Sequence, residues 1–87
     1  MNKNECIEFV KRLTIHMTIG RGRVIVDHNE DRIKIDFPDR GSESVKLSQI
    51  VIQKMKSKFP DIVEEWLTET ERDRDGDYYL SIEGWWK

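Results

Sequence analysis

The stretch Arg23–Phe37 reads RVIVDHNEDRIKIDF and is the clearest local signal in the chain. Val24 and Val26 lead to the polar tetrapeptide His28–Asp31, and after it Ile33, Ile35 and Phe37 alternate with polar residues. Alternation of apolar and polar residues is typical of a strand with one buried and one solvated face. A four-residue polar connection suits a turn between two such strands. The stretch therefore predicts an antiparallel β-hairpin.

Upstream of this hairpin, residues 4–18 carry apolar side chains at intervals of three and four. They are Cys6, Ile7, Val10, Leu13 and Met17. This spacing predicts an amphipathic helix, which Gly20 can close by adopting a left-handed conformation. The segment 13–19 also alternates apolar and polar residues, so its second half fits a strand as well.

Downstream of the hairpin, Pro38–Gly41 predicts a turn, because proline presets the backbone angle and glycine permits a left-handed one. Ser44–Leu47 then predicts a short third strand. Ser48 is a candidate N-cap for a helix that runs to about Lys58, although the β-branched run at 50–52 weakens that helix.

Pro60 interrupts the pattern and suits the first turn of another helix, predicted from Asp61 to about Thr70. Asp75-Gly76 predicts a turn into a last strand, Asp77–Ile82. The predicted order is helix, three strands, two helices and strand (α-β-β-β-α-α-β). This order predicts one small α+β domain over residues 1–87, with helices packed on one face of an antiparallel sheet.

Length and composition limit the class of protein. A chain of 87 residues has room for one hydrophobic core. It contains no apolar run of the roughly 18 residues that span a bilayer, and no export signal, so we expect a soluble, cytoplasmic protein with no membrane partner. The single cysteine, Cys6, cannot form an internal disulfide, and its position on the apolar face of the first helix indicates a buried, inert thiol.

The net charge of −2 conceals two regions of opposite sign. Residues 1–60 carry twelve Lys and Arg against eight Asp and Glu, a balance of +4. The segment Asp61–Asp77, here called the acidic arm, carries two arginines against eight acidic residues, a balance of −6. The chain can therefore present surfaces of opposite sign to a partner.

No motif in the sequence requires catalysis, a cofactor or a metal. The run Glu71, Asp73, Asp75 and Gly76 resembles the first half of a calcium loop, but Ile82 occupies the twelfth position, where a bidentate carboxylate is needed. His16, His28 and Cys6 do not have the spacing of metal ligands. We expect a protein that is not an enzyme and holds no cofactor or metal.

The C-terminus is rich in aromatic residues. Four of the eight aromatic residues lie in the last ten positions, namely Tyr78, Tyr79, Trp85 and Trp86. Tryptophan is enriched at binding hot spots, so at least one tail tryptophan is a candidate contact; the alternative is that Trp86 folds back to complete the core. The predicted partner-binding residues are Glu65, Glu69, Asp73, Asp75, Asp77, Tyr79, Trp85 and Trp86.

These features favour a non-enzymatic protein-interaction module that docks the acidic arm and the tail aromatics on a basic surface of a larger protein or nucleoprotein. In size, element order and acidic flank, the chain resembles the small inhibitors that phages use against host defence, and the immunity proteins paired with toxins. The resemblance implies a small regulatory or inhibitory protein.

The alternative is direct binding of nucleic acid through a basic face. Its candidate residues are Arg21, Arg23, Arg40, Lys54, Lys56 and Lys58. The glycines of the GRGR sequence would let phosphates approach the backbone closely, and the cations would displace counterions. The first five predicted elements resemble, in order only, the helix-strand-strand-strand-helix plan of double-stranded RNA-binding domains, but Ser48–Val51 stands where that family has a lysine-rich helix start.

Overall fold

A computed structural model describes residues 2–87 and confirms an α+β domain with two helices and antiparallel sheets. The elements in chain order are α1 (Lys3–Thr14), β1 (Thr18–Ile19), β2 (Gly22–Arg23), β3 (Ile25–His28), β4 (Arg32–Phe37), α2 (Ser42–Lys58), β5 (Val63–Arg72) and β6 (Tyr78–Trp86). The order differs from the predicted one at three places, which are described below. No helix within residues 2–87 has the length and apolar character that crossing a membrane requires.

The main sheet has four antiparallel strands in the order β3-β4-β6-β5. The β3–β4 hairpin is the one that the alternation around His28–Asp31 predicts, with Val26 opposite Ile35. Strands β1 and β2 form a separate two-stranded hairpin. The edges of the main sheet are therefore β3 and β5, and β6 lies in the interior of the sheet beside β4.

One face of the sheet belongs to the hydrophobic core. Ile33, Ile35 and Phe37 of β4 are buried, and they pair with Gly84, Ile82 and Leu80 of β6, so these side chains share one face. Both helices contribute to the same cluster. The buried hydrophobic residues are Cys6, Ile7, Val10, Ile19, Ile33, Ile35, Phe37, Val51, Met55, Phe59, Val63, Leu80, Ile82 and Trp86.

Helix α1 ends earlier than the sequence predicts. It begins at an Asn2 cap, whose side chain accepts a hydrogen bond from Glu5 N at 3.0 Å, and it ends at Thr14. Gly20 does not close this helix. With a φ of 60°, it lies instead in the tight turn between β1 and β2, where a left-handed residue is needed. The alternative prediction, a strand in the second half of the segment 13–19, is confirmed in part, because Thr18–Ile19 form β1.

The predicted third strand, Ser44–Leu47, is wrong, because these residues lie in helix α2. Asp39 stabilises the turn just before the helix. Its Oδ1 accepts hydrogen bonds from Gly41 N at 2.8 Å and from the Ser44 hydroxyl at 2.9 Å. The buried stripe of α2 begins with serines. It consists of Ser44, Ser48, Val51 and Met55.

The predicted helix at 61–70 is also wrong, because this segment forms the long edge strand β5. Its register with β6 shifts between Val63 and Trp66, where β5 contains one more residue than its partner. Such a bulge places two side chains that are three positions apart on the same side of the strand. The spacing of Val63 and Trp66 therefore imitates a helical stripe.

The last strand is longer than the predicted Asp77–Ile82 and includes both tail tryptophans. It follows a loop, 73–77, in which Asp73 Oδ1 accepts hydrogen bonds from the backbone N–H groups of Asp75 at 2.9 Å and Asp77 at 3.0 Å. Gly76 has a φ of 85°, as a left-handed turn position requires. The turn predicted from Asp75-Gly76 is therefore the tip of the β5–β6 hairpin.

Candidate protein-interaction surface

The acidic arm forms edge strand β5 and the loop that follows it. Seven of the ten residues of β5 are exposed, and only Val63 is buried. Of the eight carboxylates in the arm, only Glu71 forms an ion pair within residues 2–87. The exposed, unpaired carboxylates belong to Asp61, Glu64, Glu65, Glu69, Asp73, Asp75 and Asp77. The arm therefore keeps most of its negative charge free for a partner.

A groove of about 750 Å³ lies where the start of β5 meets the end of β6. Its residues are Lys3, Glu30, Asp31, Glu64, Glu65, Leu67, Trp85, Trp86 and Lys87. Three of the predicted partner-binding residues thus meet here, namely Glu65, Trp85 and Trp86. The bulge in β5 contributes Glu64 and Glu65 to the wall, and strand β6 contributes the two indole rings. The groove combines an acidic wall with aromatic surface.

The two tail tryptophans have different surroundings because consecutive residues of a strand face opposite sides of the sheet. Trp86 is only 9% exposed, and its Nε1 donates a hydrogen bond to the Asn29 carbonyl at 2.9 Å. Its backbone N–H also donates to the Asp31 carbonyl at 3.0 Å. Trp85 is half-buried on the opposite face, opposite Arg32. Trp86 therefore belongs to the core, and Trp85 is the tail tryptophan with the more accessible ring.

The remaining predicted acidic residues lie at the far end of β5. Asp73 follows Glu65 by eight positions, which is roughly 26 Å of extended chain. The Asp73 carboxylate is engaged in the loop by its two backbone hydrogen bonds, whereas Asp75 and Asp77 are exposed. The predicted site is therefore not one patch. It comprises a groove, a strand edge that carries Glu69, and an acidic loop.

The sheet face opposite the core carries a charge network that joins three strands. Lys34 Nζ of β4 donates a hydrogen bond to Glu71 Oε2 of β5 at 2.9 Å, and the Tyr79 hydroxyl of β6 donates to the same oxygen. The hydrogen bonds from Tyr79 and Lys34 lower the pKa of Glu71. The same contacts to Glu71 raise the pKa of Tyr79 and of Lys34. Tyr79, a predicted contact residue, is thus part of the internal network.

Asp36 lies beside this network, but its pKa shifts in the opposite direction from that of Glu71. Its pKa is raised, and burial is the main cause, although Lys34 Nζ lies 4.0 Å from Asp36 Oδ1. Burial disfavours the charged form of a carboxyl group when the compensating contacts are incomplete. The thiol of Cys6 is affected in the same direction. Its burial in the core raises its pKa to about 11, so it stays protonated at neutral pH.

Three carboxylates on the face opposite the core could offer ligands to a cation. One oxygen from each of Glu69, Glu71 and Glu83 lies within 4.8 Å of the others. Protein cations already contact two of them, because Lys34 binds Glu71 and Arg32 Nη1 lies 3.0 Å from Glu83 Oε2. The Lys34 and Arg32 side chains thus partly neutralise this cluster.

The residues of the basic alternative are all exposed, but they lie on separate elements. Arg21 lies in the β1–β2 turn, Arg23 ends β2, and Arg40 places its guanidinium 3.9 Å from the centre of the Tyr78 ring. Lys54, Lys56 and Lys58 extend from the second half of α2, where Lys58 Nζ lies 4.4 Å from the centre of the Phe9 ring.

The two candidate sets meet at one point. Arg23 of the basic set lines a groove of about 250 Å³ together with Asp73 and Tyr79 of the acidic set. Ile25 of β3 also borders this groove and is 61% exposed. An arginine beside the acidic loop lowers the local negative field, so this groove is less acidic than the free edge of β5.

Sequence reasoning did not select six of the nine residues that line the larger groove, namely Lys3, Glu30, Asp31, Glu64, Leu67 and Lys87. Leu67 is 41% exposed and lines the larger groove, on the segment that was predicted to be a helix. The alternation of Thr68 and Thr70 with Glu69 and Glu71 is a strand signal that could have identified the correct face. The chain matches no protein-family model, and the comparisons with curated proteins and with solved structures find no match.

Proposed function

We propose that this chain is a non-enzymatic protein-interaction module, a small inhibitor or regulator of the phage anti-defence or immunity type. It docks its acidic arm and C-terminal aromatic residues on a basic surface of a larger protein or nucleoprotein. The observation that carries the proposal is the free charge of the arm, since seven of its eight carboxylates are exposed and without an ion pair in the described chain.

Unpaired carboxylates on a strand have a clear physical use. They repel each other in the free protein, so they destabilise the fold slightly, and a basic partner surface relieves that repulsion. Complementary charge also speeds the encounter of two proteins. Trp85 and Leu67 line the groove at one end of the arm and offer apolar area at the point where the charges meet the partner.

Binding of nucleic acid through the basic residues is the second candidate. The observation that favours it is the β1–β2 turn, which exposes Arg21 and Arg23 beside two glycines. The separation of these arginines from the lysines of α2 on different elements weighs against one continuous phosphate-binding face. A salt-dependent shift of labelled duplex or hairpin RNA by the purified protein would support this candidate and contradict the first.

The test of the first candidate begins with affinity capture from the native cell and identification of the bound macromolecule. The affinity of the purified complex is then measured for the wild type, for Glu65→Gln with Glu69→Gln, and for a variant in which Asp73, Asp75 and Asp77 are replaced by Asn. Asparagine at position 73 keeps an oxygen that can accept the loop hydrogen bonds. These changes therefore remove charge and retain the loop.

We expect the Glu65 and Glu69 double variant to bind roughly 5- to 30-fold more weakly, because each exposed charge pair contributes up to about 1 kcal/mol. The loss should shrink at high salt. A matched control, Glu8→Gln with Glu43→Gln, removes the same charge from exposed positions of the two helices. Equal losses in both double variants would contradict a specific role for the arm.

A further inference from the structure

The outer edge of β5 has backbone groups without a partner strand. In an antiparallel pair, opposed residues alternate between those that exchange hydrogen bonds and those whose N–H and C=O groups point away. Asp73 N donates to the Asp77 carbonyl at 2.9 Å, which fixes this alternation for the β5–β6 hairpin. The residues whose backbone groups point away from β6 are therefore Trp66, Thr68, Thr70 and Arg72.

This edge carries only some of the devices with which proteins prevent another strand from pairing with a sheet edge. Proteins protect sheet edges with short strands, charged residues (lysine above all), prolines, bulges or a covering element. Strand β5 is ten residues long, contains no lysine or proline, and pairs with β6 alone within the described chain. Its one irregularity, the bulge between Val63 and Trp66, leaves the regular register from Trp66 to Arg72 intact.

The charge of the strand selects which partner can pair with it. Leu67, Glu69 and Glu71 face one side of the sheet, and the bulge adds Glu64 and Glu65. A second copy of β5 would bring rows of carboxylates together, and like charges across neighbouring strands are destabilising. An extended segment with lysine or arginine at alternate positions would instead place its cations beside these carboxylates.

We propose that the free edge of β5 accepts an extended basic segment of the partner protein as a fifth strand of the sheet. The inference rests on the proposed function and specifies its mode of docking. The backbone groups of Trp66, Thr68, Thr70 and Arg72 form the ladder to the added strand. Glu69 pairs with a cation on the face opposite the core. Main-chain hydrogen bonds supply affinity and the alternating charges supply specificity.

The test uses a soluble ten-residue peptide of alternating lysine and threonine, with both ends capped, titrated into the full-length protein and followed by amide NMR shifts. We expect the shifts to concentrate in residues 66–72. A peptide of the same sequence that is N-methylated at alternate residues, on the edge that would pair, keeps its charge and loses its ladder donors. We expect it to bind at least 10-fold more weakly.

A pair of variants tests the protein side of the ladder. Thr68→Pro removes an outward-pointing N–H group, and proline is tolerated on an edge strand where that group faces solvent. Thr68→Val changes the side chain and keeps the N–H group. We expect Thr68→Pro to weaken peptide binding at least 10-fold and Thr68→Val to change it less than twofold. If Thr68→Pro does not fold, the N-methylated peptide alone decides.

Equal binding of the plain and N-methylated peptides, or shifts that spread over the whole acidic surface, would overturn strand addition. The proposed function has a separate readout, since the Glu65 and Glu69 double variant would still weaken the complex with the captured partner. Loss of that effect would overturn the proposed function whatever the peptide does.

Discussion

The two edge strands of the sheet, β3 and β5, differ in how they are held. Strand β3 has four residues, contacts helix α1, and leads into a turn whose carbonyls at Asn29 and Asp31 accept hydrogen bonds from Trp86. Strand β5 has ten residues, of which only Val63 is buried, and within residues 2–87 it is paired to β6 alone. Strand β3 itself has no buried residue, but the turn that follows it is held by the core residue Trp86, whereas most of β5 is exposed.

Because of this difference, we expect substitutions at the two edges to affect different properties, stability at one and binding at the other. Replacing a buried residue that contacts the β3–β4 turn removes buried area and buried hydrogen bonds, so the variant should have a lower free energy of unfolding. Exposed residues of β5 lose little on replacement, because solvent already competes for their contacts. Variants at the two edges should therefore divide into those that change stability and those that change binding.

The largest effect is expected at Trp86, which fastens the β3–β4 turn. Trp86→Ala should lower the free energy of unfolding by about 3–5 kcal/mol, because it removes a buried indole and its hydrogen bond to Asn29. Trp85→Ala should cost about 1 kcal/mol, since that ring is half-buried. Denaturant unfolding followed by circular dichroism measures both.

Two further results would sharpen the contrast between the tail tryptophans. Trp86→Phe keeps most of the packing and should cost roughly 1–2 kcal/mol through the lost hydrogen bond to Asn29. Trp85→Ala, if it folds normally, should weaken the complex with the partner. Equal losses of stability at positions 85 and 86 would contradict the division between core and accessible tryptophan.

An intermediate effect on stability is expected at Gly84, the residue of β6 against which the start of β5 packs. A Cβ atom at this position would lie 2.6 Å from Val63 Cγ1 and 3.1 Å from the Trp66 ring. Gly84→Ala should therefore cost about 1–3 kcal/mol through overpacking. NMR shifts should change in β5 more than in β3. Thr70→Ala, at an exposed position of the same edge strand, is the control and should cost less than about 0.5 kcal/mol.

The sequence predicted the β3–β4 hairpin correctly and strand β5 wrongly. Both outcomes depend on how many side chains a strand buries. After the His28–Asp31 turn, the regular alternation of Ile33, Ile35 and Phe37 with polar residues reflects a strand, β4, with one face in the core. Strand β5 buries few side chains, so its sequence is weakly constrained, and its bulge gives Val63 and Trp66 a helical spacing. In α2, the buried positions Ser44 and Ser48 carry hydroxyls, which conceal the start of its buried stripe.

The sequence predicted which types of residue form the candidate site, but not how they are arranged in space. The excess of carboxylates in 61–77 and the terminal aromatics are visible in the sequence, and the structure brings Glu65 and Trp85 to one groove. Which carboxylate would be neutralised was not visible, because the pairing of Glu71 with Lys34 depends on strand order. Long-range contacts of this kind follow from sheet topology and not from local spacing.

The smallest effect is expected at Glu71, whose side chain forms the ion pair between the acidic arm and strand β4. The hydrogen bonds from Tyr79 and Lys34 lower the pKa of this carboxyl in the folded state. Folding is therefore favoured by the ionised form above its unfolded pKa, near the ordinary value of 4.5, and this contribution is lost as the pH falls through the folded pKa. Glu71→Gln should cost about 0.2–1 kcal/mol at pH 7, and the difference from wild type should shrink as the pH falls below the ordinary pKa of 4.5 and through the lower folded pKa.

Asp36 provides a control of opposite sign on the same face of the sheet. Burial raises its pKa, so folding favours its protonated form, and that contribution is present below its unfolded pKa and lost as the pH rises through the folded pKa. Asp36→Asn should therefore be relatively more stable at pH 7 than at pH 4 when each is compared with wild type. Thermal unfolding from pH 3 to pH 7 measures both variants. Parallel pH profiles for Glu71→Gln and Asp36→Asn would show that the Lys34 and Tyr79 contacts of Glu71 do not stabilise the fold.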